Sequence, residues 1–191
     1  MDYSDAVARQ HAATPKDMAT IQETYRFTVF YFATVFGPKF DAKHYPRTAA
    51  FFIKVTNTAN GVVGRLKEHY KRLRPFQAHP DKIKLLVRNE PGYGYPSGHT
   101  TRSRLDAFIV AELAPSSRVP IFKAAELVAT DRILAGEHYV TDLEAGRTLG
   151  KMLFGLLSKN PEFQRELKAL KDSPEWNPPP SPVISTTPAG H

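Results

Sequence analysis

The sequence predicts an all-α fold, and three observations predict it. Apolar residues recur three and four positions apart through every long segment between proline and glycine breaks. No run alternates apolar and polar residues as a half-buried strand would. Segment boundaries carry helix punctuation, with Thr14-Pro15 and Asn160-Pro161 as starts and Gly37-Pro38 and Gly136 as stops. A single-domain bundle of about six helices accounts for this pattern.

Residues 1–13 are polar and Ala-rich and read as a loose arm or a short helix. From Thr14-Pro15, Ile21, Tyr25, Val29, Phe32, Val35 and Phe36 keep helical spacing up to Gly37-Pro38, which predicts one helix with a broad aromatic face. Such a face belongs to a core rather than to a cofactor box. A second helix opens at Pro46 and reaches about Lys71, with Ala49, Phe52, Ile53, Thr56, Ala59, Val63 and Leu66 inward. It ends in the basic cluster Arg65, Lys67, Lys71, Arg72 and Arg74, and Pro75 stops it. Residues 76–95 form a long connection with a short helix around Asp81 to Leu86. Ser97 caps the next helix, which runs to Ala114; Pro120 opens another that ends before Gly136, and His138 opens one that reaches about Ser158. Asn160-Pro161 caps the last, highly charged helix, ending near Asp172. Residues 174–191 hold six prolines and few apolar side chains, so the helical domain is expected over 1–173 and an extended or disordered tail after it.

At 191 residues, with 41% hydrophobic and 24% charged positions, the composition is that of a globular chain with a sizeable core. Cysteine is absent, which excludes disulfides, thiolate metal sites and a thiol nucleophile. The net charge of +7 favours an anionic partner, whether a phosphorylated metabolite, a nucleic acid or an acidic membrane surface. The longest uncharged run of mainly apolar residues, 27–38, is shorter than the roughly 20 apolar residues that span a membrane. Met1-Asp2-Tyr3-Ser4-Asp5 has neither the basic start nor the apolar stretch of an export signal.

Chemistry collects first at Tyr95-Pro96-Ser97-Gly98-His99-Thr100. A capping serine followed by glycine and histidine leaves several backbone N–H groups of the first turn aimed at one small volume, which attracts anions. His99 adds a group that exchanges a proton near neutral pH. Lys67 and Arg74 are seven residues apart, so a helix continuing to Arg74 would place both cations on one face, as an anion site or as a solvated basic surface. His138 and Asp142 are at i and i+4. That spacing serves a carboxylate that orients an imidazole, a structural ion pair or part of a metal site; the remaining histidines show no ligand spacing.

Together, Lys67-x6-Arg74-Pro75, Pro96-Ser97-Gly98-His99 and Arg132-x5-His138-x3-Asp142 resemble the three-part signature of the type 2 phosphatidic acid phosphatase superfamily. That superfamily includes class A nonspecific acid phosphatases, membrane lipid phosphatases, glucose-6-phosphatase and vanadium haloperoxidases. Ten fixed positions fall in the right order between residues 67 and 142. Asp131 stands where the family has serine and is expected to pair with Arg132. The resemblance implies a metal-independent phosphomonoesterase. Lys67, Arg74, Ser97, Gly98 and Arg132 would hold the phosphate, and His138, oriented by Asp142, would attack phosphorus to form a phosphohistidine. His99 would protonate the leaving oxygen and then activate water. With His99 charged and His138 neutral in the first step, the rate should follow a bell with an acidic optimum.

No metal or organic cofactor is implied, and vanadate or phosphate fits the same pocket. The alternatives are a lipid phosphate or pyrophosphate phosphatase, a vanadate-dependent haloperoxidase, and a non-catalytic polyanion-binding module. The expected partner is a small phosphorylated substrate, without nucleic acid or a membrane span, in a chain that forms a homodimer. Loss of an export signal would place the protein in the periplasm or outside the cell; without one it would be cytoplasmic.

Overall fold

In the computed structural model, residues 2–88 and 91–183 are described, and among them the regular structure is helical throughout. In chain order the helices are α1 (Asp2–His11), α2 (Pro15–Tyr25), α3 (Ala33–Phe36), α4 (Pro46–Tyr70), α5 (Pro75–Ala78), α6 (Gly98–Leu113), α7 (Arg118–Leu134), α8 (Val140–Leu157) and α9 (Pro161–Lys171). The all-α class therefore holds. The number of segments exceeds six because the amino-terminal arm is itself the helix α1 and two regions divide differently from the periodic pattern.

The first division is at Arg26. The predicted helix over 15–36 stops at Tyr25 and resumes as a 3-10 turn, Val29–Phe32, followed by α3. Thr28 is the cause, since its hydroxyl accepts from the Phe30 N–H at 3.3 Å and takes an amide that a continuous helix would have used. The aromatic and β-branched run around it has little helix propensity to resist. The second division is at Lys71, which adopts a left-handed conformation with φ 46° and closes α4. Arg74 is therefore not on α4. It stands outside α5 in extended backbone, φ −73° and ψ 156°, so the expected shared helical face with Lys67 does not exist. The short helix of the connection is α5, not a segment around 81–86.

The structure is organised on α6, which is buried on nearly every face and has α7 and α8 as its main neighbours, with α4 across it. Two glycines of α8 set the approach. A Cβ on Gly146 would lie 2.9 Å from the Ser97 carbonyl oxygen, and one on Gly150 would lie 2.7 Å from that of Thr101. Only glycine permits backbone contact this close.

The end of the chain differs from expectation too. Trp176 is 1% exposed and packs in the aromatic core with Phe36, Phe40 and Tyr45. Its indole N–H donates to Thr48 Oγ1 at 2.8 Å. Beside it, Glu175 accepts from the Arg47 and Thr48 amides at 2.8 and 2.9 Å, placing a carboxylate on the N-terminus of α4. The first part of the Pro-rich stretch is thus a structural strap. Residues 184–191 of the expected tail lie outside the described residues.

Candidate active site

Three stretches distant in sequence are stitched together by backbone hydrogen bonds. The Gly94 N–H donates to the Arg72 carbonyl at 2.8 Å, and the Ser97 N–H donates to the Asp142 carbonyl at 3.0 Å. The end of α4, the turn before α6 and the start of α8 consequently form one unit.

His138 lies just before α8 rather than in it, yet the pairing with Asp142 survives, with Nδ1 3.3 Å from Oδ2. Asp142 is fully buried and held from two other sides. Its Oδ2 accepts from the Tyr139 amide at 2.9 Å, and its Oδ1 accepts from Arg72 Nη1 at 2.8 Å. Arg72 also lies 4.3 Å over the Tyr139 ring, so the guanidinium is fixed by an ion pair and a ring at once. On the far side of the imidazole, Arg74 Nη1 is 3.3 Å from His138 Nε2. A guanidinium can only donate. Nε2 is therefore the acceptor, and the ring proton sits on Nδ1 toward Asp142. Burial, then the charges of Arg74, Lys67 and Arg132, hold the His138 pKa well below the ordinary imidazole value, with a backbone hydrogen bond to Gly94 opposing them. His138 is thus a neutral ring whose Nε2 lone pair is directed at a cation.

Ser97 caps α6. Its Oγ accepts from the Thr100 amide at 3.3 Å and from the Thr100 hydroxyl at 3.0 Å, leaving its own O–H to donate. Gly98 is the first residue of α6, where a backbone N–H has no partner in the helix ladder. On the next residue, His99 Nε2 donates to the Tyr25 carbonyl at 3.0 Å, and the two rings stack with centroids 6.0 Å apart. That carbonyl sits at the end of α2, so the break that the aromatic periodicity conceals is what seats His99. Burial, followed by the charges of Arg132 and Arg102, pushes the His99 pKa well down as well.

Arg132 is fully buried at the end of α7. Its Nη2 donates to the Ile21 carbonyl at 3.1 Å and to the Thr24 hydroxyl at 2.8 Å, and its Nη1 donates to Glu137 Oε2 at 3.1 Å. The neighbouring Asp131 reaches it through Thr24, whose hydroxyl donates to Asp131 Oδ2 at 2.8 Å. Burial raises the Asp131 pKa, with Thr24 and Arg132 opposing the rise. The expected role of Asp131 as the partner of Arg132 is largely taken by Glu137. This buried carboxylate also has Oε1 3.7 Å from Arg74 Nη1, so it bridges the two arginines.

The structure thus brings Arg74, Arg132, His138 and Asp142 into one buried cluster, places Lys67 close enough for its charge to depress His138, and puts His99 within the electrostatic reach of both Arg132 and His138. Ser97 and Gly98 join through the link from Ser97 to Asp142. Sequence reasoning missed Glu137, Arg72, Thr24 and Tyr25. Adjacency to His138 was the available signal for Glu137, and Arg72 was submerged in the basic run. Glu137 is delivered by the turn at Gly136, φ +79°, where a Cβ would collide with the Lys84 carbonyl oxygen. Among the described residues, no group of three His, Cys, Asp or Glu side chains is placed to hold a metal ion.

Comparison with known proteins gives concordant results. The family model described as the PAP2 superfamily matches residues 48–165. An acid phosphatase of Zymomonas mobilis is 29% identical over 141 residues, covering 72% of this chain and 53% of the relative. A non-specific acid phosphatase of Providencia stuartii is 29% identical over 149 residues, covering 74% of this chain and 58% of the relative. The chain therefore spans little more than half the length of these relatives. Among solved structures, a transmembrane PAP2-type phosphatidylglycerolphosphate phosphatase from Bacillus subtilis superimposes with a TM-score of 0.59 at 21% identity, over 86% of this chain and 85% of that one. Among the described residues no helix of the present chain is long and apolar enough to cross a membrane.

Proposed function

This chain belongs to the PAP2 superfamily, and on that premise we propose that it is a phosphomonoesterase of the acid phosphatase type, acting through a phosphohistidine. The observation that carries the reading is the position of His138, with a carboxylate on Nδ1 at 3.3 Å and the Arg74 guanidinium at 3.3 Å from Nε2. An imidazole so held has its tautomer set, its lone pair forward, and a cation beside the place where phosphoryl oxygens gather negative charge.

His138 Nε2 attacks phosphorus, forming the P–N bond as the P–O bond to the alcohol breaks. Lys67, Arg74 and Arg132 offset the charge on the equatorial oxygens, with the Ser97 hydroxyl and Gly98 N–H as neutral donors, so the site supplies this charge from side chains without a metal ion. The departing oxygen takes a proton from His99. Neutral His99 then accepts a proton from water, which attacks phosphorus, breaks the P–N bond and restores His138. Because Nε2 of His99 is committed to the Tyr25 carbonyl, the transferable proton belongs on Nδ1. A dianionic substrate favours protonation of His99 and so counters the depression of its pKa.

The names of the relatives, acid phosphatase and non-specific acid phosphatase, support phosphate esters as substrates, and we extend this to small phosphomonoesters and to export from the cytoplasm. The test is release of phosphate from p-nitrophenyl phosphate and from phosphatidic acid, with the protein sampled before turnover is complete. Wild type should hydrolyse the aryl ester and carry an acid-labile, base-stable phosphoryl group that His138→Ala lacks, and vanadate should inhibit. Turnover by folded His138→Ala at the wild-type rate would remove the phosphohistidine from the reaction.

A further inference from the structure

Beyond the phosphoryl site, α4, α6 and the segment after α2 enclose a cavity of about 380 Å³. Its walls are mostly apolar, with Phe27, Phe30, Phe52 and Ile53 among them, and Ile53 is 61% exposed although it faces this opening. Besides the neutral Thr28, Thr56 and Asn57, two ionisable groups interrupt that lining, both on α6 and four residues apart, Arg102 and Asp106. The Arg102 Nη1 donates to Asn60 Oδ1 at 3.3 Å, while its Nε is buried without a hydrogen-bond acceptor. Asp106 is 3% exposed and makes no hydrogen bond among the described residues. Burial raises its pKa to about 8 against the opposing charge of Arg102, so at neutral pH it is mainly a carboxylic acid, a donor as well as an acceptor.

An unsatisfied buried polar group costs about 1–3 kcal/mol; Arg102 Nε is one, and with the Asp106 carboxyl, which makes no hydrogen bond, on the same wall it calls for a ligand that engages both. Each offers a hydrogen to that ligand, one of them carried by a cation. The complementary head is therefore an anionic acceptor. The remaining wall calls for an unbranched or aromatic hydrocarbon body, and the volume lies within the range of small-molecule sites. We propose that this cavity is a binding site for amphiphilic monocarboxylates, with the carboxylate held by Arg102 and Asp106 and the apolar body against Phe27, Phe30 and Phe52. The lining shares no residue with the phosphoryl site, although the Arg102 charge reaches His99, and the assignment does not depend on the reaction proposed there.

The test is calorimetric titration of the full chain with decanoate, below its micellar concentration, beside decan-1-ol as the same chain without the charged head. Decanoate should bind at least about tenfold more tightly than the alcohol. Arg102→Met should abolish that preference. Asp106→Leu, which removes an unpartnered buried carboxyl and carries little folding risk, should weaken decanoate by at least about tenfold. Ala49→Phe, a half-buried lining position on α4, should fill the space and eliminate binding of both. Thermal melting establishes that each variant is folded; should Arg102→Met fail, the Asp106→Leu and alcohol comparisons decide. Absence of decanoate binding, equal affinity for acid and alcohol, or binding undiminished in Ala49→Phe would each overturn the assignment.

Discussion

Gly146 tests whether the contact between α6 and α8 sets the catalytic geometry. It lies one helical turn beyond Asp142, against the first turn of α6. In Gly146→Ala the new Cβ would stand 2.8 Å from Thr100 Cβ, 2.9 Å from the Ser97 carbonyl oxygen and 3.1 Å from Thr100 Cγ2. Carbon contacts settle at about 3.5–4.0 Å, so the helices must part locally by roughly 1 Å. The surroundings have no slack to give. The Ser97 carbonyl already accepts from the Thr101 amide at 3.0 Å and the Thr101 hydroxyl at 2.8 Å, and Thr100 is 1% exposed. Overpacking costs about 1–3 kcal/mol, against which alanine returns up to about 1 kcal/mol of helix propensity. The net loss, on the order of 1–2 kcal/mol, should lower Tm by several degrees in a chain of this size. The larger effect is on catalysis. Parting α6 from α8 strains the hydrogen bond from the Ser97 amide to the Asp142 carbonyl, 3.0 Å, and moves the α6 donors away from His138. A displacement of about 1 Å is worth on the order of a hundredfold in rate. Gly155 supplies the control, since it is on the same helix and a Cβ there meets nothing within 4 Å. Gly155→Ala should be as active as wild type and slightly more stable. Thermal melts by circular dichroism and p-nitrophenyl phosphate kinetics measure both. If Gly146→Ala matches Gly155→Ala in Tm and kcat/KM, the close approach does not govern the site.

Two further expectations concern the histidines and their support. Arg72→Ala removes the partner of Asp142 Oδ1 without touching substrate, so kcat should fall by about ten- to a hundredfold with little change in KM, and Arg72→Lys should restore part of it; a change confined to KM would place Arg72 in substrate binding instead. The pKa values of both His99 and His138 are depressed, so both limbs of the kcat/KM profile should lie below the ordinary imidazole value of about 6.5. The linked stability has a definite sign. At these two histidines the unfolded chain binds protons that the folded one does not, so their contribution is complete above about pH 6.5 and is lost as pH falls through the unfolded imidazole range, while the raised pKa values of Asp106 and Asp131 contribute with the opposite sign. Melting temperatures measured across pH should show a larger loss toward low pH in wild type than in His99→Gln with His138→Gln; the same pH dependence in both would contradict the burial of neutral rings.

Much of this site was legible as spacing, and the parts that were not have physical causes. Lys67 and Arg74 were found by a helical argument that fails, because Lys71 turns left-handed where no glycine announces it. The helix end read at about Lys71 agrees with Tyr70, and Arg74 lies four residues beyond that end, off the helix. The aromatic stretch before Gly37 keeps helical period across a break made by one threonine hydroxyl, and periodicity cannot register a hydrogen bond that long-range packing selects. Trp176 sat among prolines that promised a solvated tail, but a single large side chain with its indole N–H on Thr48 is enough to dock the strap.

Glu137 shows the deeper limit. A carboxylate beside a histidine is ordinarily solvated, and nothing local marks it as buried. Two guanidinium groups at 0% and 1% exposure, however, cannot remain in a protein interior without compensating charge. Glu137 supplies it to both, 3.1 Å from Arg132 and 3.7 Å from Arg74, while Thr24 passes the charge of Asp131 to the other side of Arg132. The arginines are therefore oriented during folding, before any anion arrives, and that fixed orientation is what makes donors effective at a developing charge. The spacing of the three segments specifies which cations come to the pocket. The buried carboxylates specify how they point, and that information exists only once the helices have closed.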